Sequence, residues 1–219
     1  MNREGQTVSN YLQPVHNNRQ PVNEQELDQY FGLDIARHES QQPLSELLVK
    51  HGARQQVVQG DLPYDYFQAM YHALQAYPVQ SIFDVGAGYG RLLLYGAVLH
   101  PTIKFHGVEI VPYRAQAGRA AAQRLGLSNM AIYTGNALQF SPWPTTTVVT
   151  IMNSFYHAHW PPIVARLKAQ AAQTDYLLVS VAAGNLIMEQ QPWLTEVFPA
   201  GPPASKLGLR YFQANAPHQ

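Results

Sequence analysis

Apolar stretches that lack polar alternation mark buried strands in this chain, and apolar residues spaced three and four apart mark helices. The clearest case begins at Ser81-Ile82-Phe83-Asp84-Val85. This run has no outward-facing polar set, as expected of a parallel strand covered on both faces. Gly86-Ala87-Gly88-Tyr89-Gly90 follows, a turn in which glycines can bring bare backbone close to a ligand. Leu92 to Leu99 then suits a largely buried helix, ended at His100 by the following proline.

The pattern continues as alternating strands and helices. Lys104 to Ile110 reads as a second strand, and Pro112 opens a helix that runs to about Leu125. Met130 to Thr134 is a third strand and Thr146 to Met152 a fourth, rich in β-branched residues. Pro161 and Pro162 start a helix over Ile163 to Ala171, and Tyr176 to Val181 is a fifth strand. A last strand is expected over Leu207 to Gln213. Ahead of the first strand, Phe67, Met70, Tyr71, Leu74 and Tyr77 predict a helix from Asp65 to Ala76. Asn23 to Glu26 has the form of a capping box for a short helix that stops at Gly32, and Pro43 opens a second over Leu44 to Val49. Residues 1 to about 20 are polar and read as a mobile arm. The division that follows is a flexible arm with short lid helices over 1–60 and one α/β domain over 61–219.

Composition narrows the chemistry. The chain has no cysteine, which excludes disulfides, thiolate metal sites and cysteine nucleophiles. Its formal net charge is zero, so no broad footprint for nucleic acid or an anionic membrane is expected. No apolar run has membrane-spanning length and the first residues lack a signal-peptide core, so a cytoplasmic location is expected. Export that needs no cleaved signal stays compatible with that composition.

The residues around the glycine turn discriminate between ligands. A dinucleotide site wants a third glycine where this chain has Arg91. Asp84 would repel a pyrophosphate but attract the ammonium group of S-adenosylmethionine. Glu109 ends the second strand 19 residues beyond Gly90, close to the spacing of a ribose-binding acid. After the fourth strand come Asn153-Ser154-Phe155-Tyr156-His157-Ala158-His159-Trp160. In a doubly wound sheet this turn faces the glycine turn. An amine nucleophile needs a neutral acceptor to aim its lone pair, which Asn153 offers, with Phe155 and Tyr156 as an apolar wall. An oxygen nucleophile would need a base, for which His157 or His159 is the candidate.

Asp-Val-Gly-Ala-Gly-Tyr-Gly followed by Gly-Val-Glu-Ile resembles the first two motifs of class I S-adenosylmethionine-dependent methyltransferases. The resemblance implies a Rossmann-like, doubly wound and mostly parallel sheet with an N-terminal helical extension. It implies S-adenosylmethionine as cofactor and S-adenosylhomocysteine as product, held by Asp84, Gly86, Ala87, Gly88, Gly90, Glu109 and Ile110. Gly135-Asn136-Ala137 is similar to the stretch with which relatives bind adenine, although Asn136 stands where many have an acid. Tyr64, ahead of the first strand, is the candidate for covering the cofactor. Asn153-Ser154-Phe155-Tyr156 is similar to the Asn-Pro-Pro-aromatic motif of amino-directed enzymes. It is also similar to a stretch of the non-SET histone lysine methyltransferases, with Ser154 a departure from both. The expectation is transfer to nitrogen, on a protein side chain or a small amine, with Asn153, Tyr156 and His157 as catalytic candidates and no metal. The alternatives are an O-methyltransferase with a histidine base, and a non-catalytic binding scaffold.

Overall fold

The computed structural model describes residues 8–17, 21–41, 62–155, 157–197 and 208–215. Three helices come first: α1 (Val8–Asn17), α2 (Glu24–Phe31) and α3 (Ile35–Gln41). Then follow α4 (Tyr64–Leu74), β1 (Ser81–Val85), α5 (Arg91–Leu99), β2 (Lys104–Glu109), α6 (Pro112–Arg124), β3 (Met130–Thr134) and β4 (Val148–Ile151). A 3-10 turn (His157–His159), α7 (Trp160–Ala171), β5 (Tyr176–Ser180), α8 (Ala183–Met188), β6 (Leu194–Val197) and β7 (Arg210–Ala214) complete the order.

The strands form one seven-stranded sheet in the order β3-β2-β1-β4-β5-β7-β6. Strands β1 to β5 run parallel to one another, and β7 runs antiparallel between β5 and β6. Parallel pairing puts the carboxyl ends of β1, β2, β3 and β4 at one edge of the sheet. The strand order steps outward from β1 on one side and from β4 on the other, so a crevice opens between those two strands. In register, Asp84 lies opposite Gly107 of β2 and Thr150 of β4.

The unbroken apolar runs have the expected cause. Every residue of β4 and of β5 is buried, because helices cover both faces. One core joins α1, α2, α4, α5 and α6 to the sheet through Leu12, Leu27, Phe31, Tyr64, Leu93 and Tyr95. The other joins α7 and α8 to it through Phe83, Val149, Trp160, Ile163, Leu167 and Met188. Residues 135–147, between β3 and β4, form no helix; Trp143 fills that side instead, edge-on to Phe83 with ring centroids 5.3 Å apart.

The N-terminal segment departs from its expected mobility over residues 8–17. They form α1, with Leu12 fully buried and Val15 and His16 nearly so. His16 stacks on His72 of α4 at 4.2 Å, and the Gln68 amide donates to the Val15 carbonyl at 3.2 Å. Helix α2 follows its capping residues: the Asn23 side chain accepts from the Glu26 amide at 3.1 Å, and Gly32 closes the helix at φ 66°. The short helix expected over Leu44 to Val49 lies outside the described residues. Helices α3 and α8 carry no strong periodic signal and were not expected.

Candidate active site

The glycine turn is set by hydrogen bonds to the neighbouring strand. The amides of Gly86 and Ala87 both donate to the Val108 carbonyl, at 2.9 and 3.0 Å. Gly86, Gly88 and Gly90 have φ of 87°, 56° and 74°, which L side chains rarely adopt. The three glycines differ in what lies beside them. A Cβ on Gly86 would meet Ser154 Cβ at 2.4 Å, and one on Gly90 would meet Ile132 Cδ1 at 2.5 Å. A Cβ on Gly88 would meet no atom within 4 Å. Gly86 is therefore required by the turn after β4 and Gly90 by packing against β3. Gly88 borders open space.

Two buried acids flank this turn. Asp84 accepts a hydrogen bond from the Thr150 hydroxyl at 2.7 Å. Burial raises its pKa to about 7, with Thr150 pulling it down and nearby Glu109 pushing it up. Glu109 accepts from the Gly88 amide at 2.8 Å on one oxygen and from the Val111 amide at 2.8 Å on the other. Burial raises its pKa as well, opposed by those amides and by Arg114. Each carboxylate oxygen of Glu109 keeps a lone pair for a further donor, as a ribose hydroxyl would be. Ile110 is half-buried beside it.

The turns after β1 and β4 meet. Ser154 Oγ lies 3.3 Å from the Gly86 carbonyl, to which it donates. Asn153 precedes it at φ 58°, a left-handed conformation that asparagine tolerates better than most residues. Phe155 packs edge-on against Trp160 at 5.7 Å and against His159 at 6.5 Å. Tyr156 lies outside the described residues. His157 begins the 3-10 turn.

The segment after β3 is held from the opposite side. Asn136 Oδ1 accepts from the Leu138 amide at 2.9 Å, so this oxygen already closes a local turn. The Ala137 carbonyl accepts from Trp143 Nε1 at 3.3 Å and from Arg166 Nη1 at 3.1 Å. Arg166, on α7, also donates to the carbonyls of Leu138 and Phe140. It thereby caps the turn that follows Asn136, where no helix continues the chain.

Tyr64 takes another role from the one expected of it. It is fully buried, its hydroxyl donates to Asp28 at 2.7 Å, and its amide donates to Glu24 at 2.7 Å. The Arg91 guanidinium lies 4.1 Å over its ring. Arg91 pairs with Glu24 and, at 2.9 Å, with Asp28, and donates to the Leu62 carbonyl at 3.0 Å. The residue at the third-glycine position thus anchors α2 to the start of α5, and Tyr64 is enclosed in that anchor. No local pattern points to these partners of Arg91, because Glu24 and Asp28 lie more than sixty residues away.

These residues fit a methyl-donor nucleoside. Gly88 opens a space that any side chain would narrow, a buried acid with a raised pKa stands under the turn, and a second acid has acceptor capacity left at the end of β2. Among the described residues, no three histidines or acids gather as a metal set, and no helix is long and apolar enough to cross a membrane.

Residues 79–151 match the profile of a family described as "Putative methyltransferase". The match spans the glycine turn, Glu109 and the segment after β3. No curated protein matches the sequence. The fold is shared with solved structures of low identity. An RNA methyltransferase from Salinibacter ruber, in complex with S-adenosyl-L-homocysteine, aligns at TM-score 0.53 and 17% identity over 73% of this chain and 95% of its own. A SAM-dependent methyltransferase from Aquifex aeolicus aligns at 0.53 and 15% identity, over 67% and 88%. A precorrin-6y C5,15-methyltransferase from Geobacter metallireducens aligns at 0.50 and 12%, over 72% and 91%. The fold is the Rossmann-like one shared by these methyltransferases, and the family matched over residues 79–151 is a methyltransferase family. The expected absence of a nucleic-acid footprint finds no support in these neighbours, one of which is an RNA methyltransferase.

Proposed function

We propose that the chain is an S-adenosylmethionine-dependent methyltransferase whose methyl group goes to a nitrogen acceptor, a protein side chain or a small amine, oriented by the turn after β4. The contact between Ser154 and the Gly86 carbonyl supports this reading, because it ties Asn153 to the glycine turn. Methyl transfer from a sulfonium is an in-line displacement that needs a neutral, aimed nucleophile. The Asn153 carbonyl oxygen would accept one N–H of the amine and leave its lone pair toward the methyl carbon. Phe155 would exclude water. The donor supplies the methyl group as an electrophile; the chain supplies position and dryness.

The likeness of Asn153-Ser154-Phe155-Tyr156 to amino-directed motifs supports the same choice. Its likeness to the non-SET histone lysine enzymes adds a lysine side chain to the acceptors, and an exocyclic base amine of RNA meets the same chemistry. A second reading rests on His159, whose ring lies edge-on to Phe155 at 6.5 Å. A hydroxyl acceptor would use it as base.

The test uses the purified chain, methyl-labelled S-adenosylmethionine and three acceptor pools: small amines, cell protein and cell RNA. Labelled N-methyl product in any pool, reduced about a hundredfold or more in Asn153→Ala, is the expected result. A labelled O-methyl product, lost in His159→Ala and kept in Asn153→Ala, would replace this reading with the second.

A further inference from the structure

Glu39, on helix α3, receives three donors from two separate segments, the glycine turn and the start of α6. The Tyr89 hydroxyl donates to its Oε1 at 2.7 Å, Arg114 Nε donates to the same oxygen at 2.8 Å, and the Tyr113 hydroxyl donates to Oε2 at 3.1 Å. Tyr89 belongs to the glycine turn, one residue beyond Gly88. Tyr113 and Arg114 belong to the first turn of α6, just beyond Val111. The amides of Gly88 and Val111 each donate to Glu109, one to each carboxylate oxygen. The glycine turn and the start of α6 are therefore bridged twice, once by Glu109 and once by Glu39 from the N-terminal extension.

We propose that Glu39 is a positioning residue for the methyl donor: by clamping Tyr89 to Tyr113 and Arg114, it fixes how Glu109 is presented to the donor's ribose. This rests on S-adenosylmethionine as the ligand of the glycine turn. The physical route runs through Arg114. Arg114 is buried, and besides Glu39 it feels the charge of Glu109. Burial alone would raise the Glu39 pKa, but Arg114, Tyr89 and Tyr113 outweigh it and hold the carboxyl below its ordinary value. With Glu39 ionised, the Arg114 charge is matched by a partner outside the ribose site. Without it, a buried guanidinium keeps Glu109 as its neighbouring acid and draws that carboxylate off the Gly88 and Val111 amides. The Arg114 guanidinium also sits 5.7 Å from the Tyr89 ring, and His38 of α3 packs on that ring at 6.0 Å, so the clamp is braced on both sides.

The test is a cycle between side chain and ligand, read by calorimetry. S-adenosylhomocysteine and its 2′-deoxyribose analogue are titrated into the wild-type chain, Glu39→Ala and Glu39→Gln. In the wild type, loss of the ribose hydroxyl weakens binding about tenfold. In Glu39→Ala the homocysteine nucleoside binds about tenfold more weakly and the penalty for the deoxy analogue shrinks toward none. Glu39→Gln, which keeps acceptor capacity without charge, falls between. With an acceptor in hand, KM for the donor rises while kcat at saturation stays within about twofold. Equal losses for both ligands in Glu39→Ala, or no loss, overturn the proposal. Should Glu39→Ala not fold, Glu39→Gln and Tyr113→Phe are judged by the same criterion. A wild-type chain that binds neither ligand removes the donor itself, which is a different failure from an unchanged variant.

Discussion

The Thr150 hydroxyl donates to the buried Asp84 carboxylate at 2.7 Å, across the seam between β4 and β1. This hydrogen bond favours the ionised acid, against burial and the nearby charge of Glu109. The outcome is a pKa of about 7, so Asp84 changes charge within the range of ordinary assays. On the proposal that Asp84 takes the donor's ammonium group, the ionised form binds the donor better. Affinity for S-adenosylhomocysteine should therefore rise with pH and level off above about 7, falling by up to about tenfold per unit below it. Thr150→Val removes the donor, raises the pKa further and moves the profile to higher pH. Titrations at pH 6, 7 and 8 check this; coincident profiles for the two proteins would refute it.

Two neighbouring glycines should fail in different ways. Gly86→Ala places a Cβ 2.4 Å from Ser154 Cβ at a φ of 87°, so the turns after β1 and β4 are forced apart. Its thermal midpoint should drop by several degrees, as expected for about 2 to 4 kcal/mol in a chain of this size. Gly88→Ala costs only the left-handed conformation, about 1 to 2 kcal/mol, because nothing lies within 4 Å of its Cβ. It should stay folded and still lose most of its affinity for S-adenosylhomocysteine, since the methyl group projects into the space beside the turn. Calorimetry and thermal unfolding of both variants separate the effects. A Gly88→Ala chain that binds as tightly as wild type would show that no ligand passes there.

The contrast between those glycines marks what could be read along the chain. A strand buried on both faces, a glycine turn and an acid after the next strand are local features, and each is visible as residue type and spacing. So are Asn23 and Gly32, which cap α2 by chemistry confined to a few residues. The partners of Arg91, Glu39 and Arg166 are another matter. These ion pairs and carbonyl contacts join residues 26 to 75 positions apart and leave no periodic trace. Tyr64 shows the cost. An aromatic residue before a helix reads equally well as a cofactor cover or as packing, and only the position of Arg91 over its ring decides. Helix α1 was hidden by its polar composition, although Leu12, Val15 and His16 share one face.

Acidification should loosen the contact between α1 and the rest of the chain. His16 stacks on His72, and the His100 ring stands 6.1 Å from His16 and 5.4 Å from Tyr71. His100 Nε2 is buried and has no hydrogen-bond partner among the described residues. Burial and the neighbouring His72 lower its pKa, so the fold holds it neutral. An unfolded histidine takes up its proton near pH 6.5. The contribution of neutral His100 is thus complete above pH 6.5 and is lost as pH falls below it. Asp84, whose folded pKa is raised, works in the opposite direction, so only the difference between proteins is informative. His100→Phe should lose less stability than wild type between pH 7 and pH 5.5 in urea unfolding. An identical pH slope in both would refute it.

Arg166 stands in for a helix that this chain lacks between β3 and β4. Its guanidinium donates to the carbonyls of Ala137, Leu138 and Phe140 and lies 5.3 Å from the Trp143 ring. Hydrogen bonds to a charged donor are worth about 1.5 to 3 kcal/mol each, but these carbonyls are partly open to water and recover some of that on its loss. Arg166→Ala should therefore cost about 2 to 3 kcal/mol in all, a drop of roughly 5 to 10 °C in thermal midpoint. The segment that starts at Asn136 should become a site of protease cleavage. On the expectation that Asn136 and Ala137 border the adenine, affinity for S-adenosylhomocysteine should fall with it, because that segment is the part left without support. Arg166→Lys keeps the charge but not the planar fork that reaches three carbonyls at once, and it should resemble the alanine variant more than the wild type. A lysine variant with wild-type midpoint, cleavage pattern and affinity would mean that charge alone holds the loop, and that the geometry of the fork is incidental.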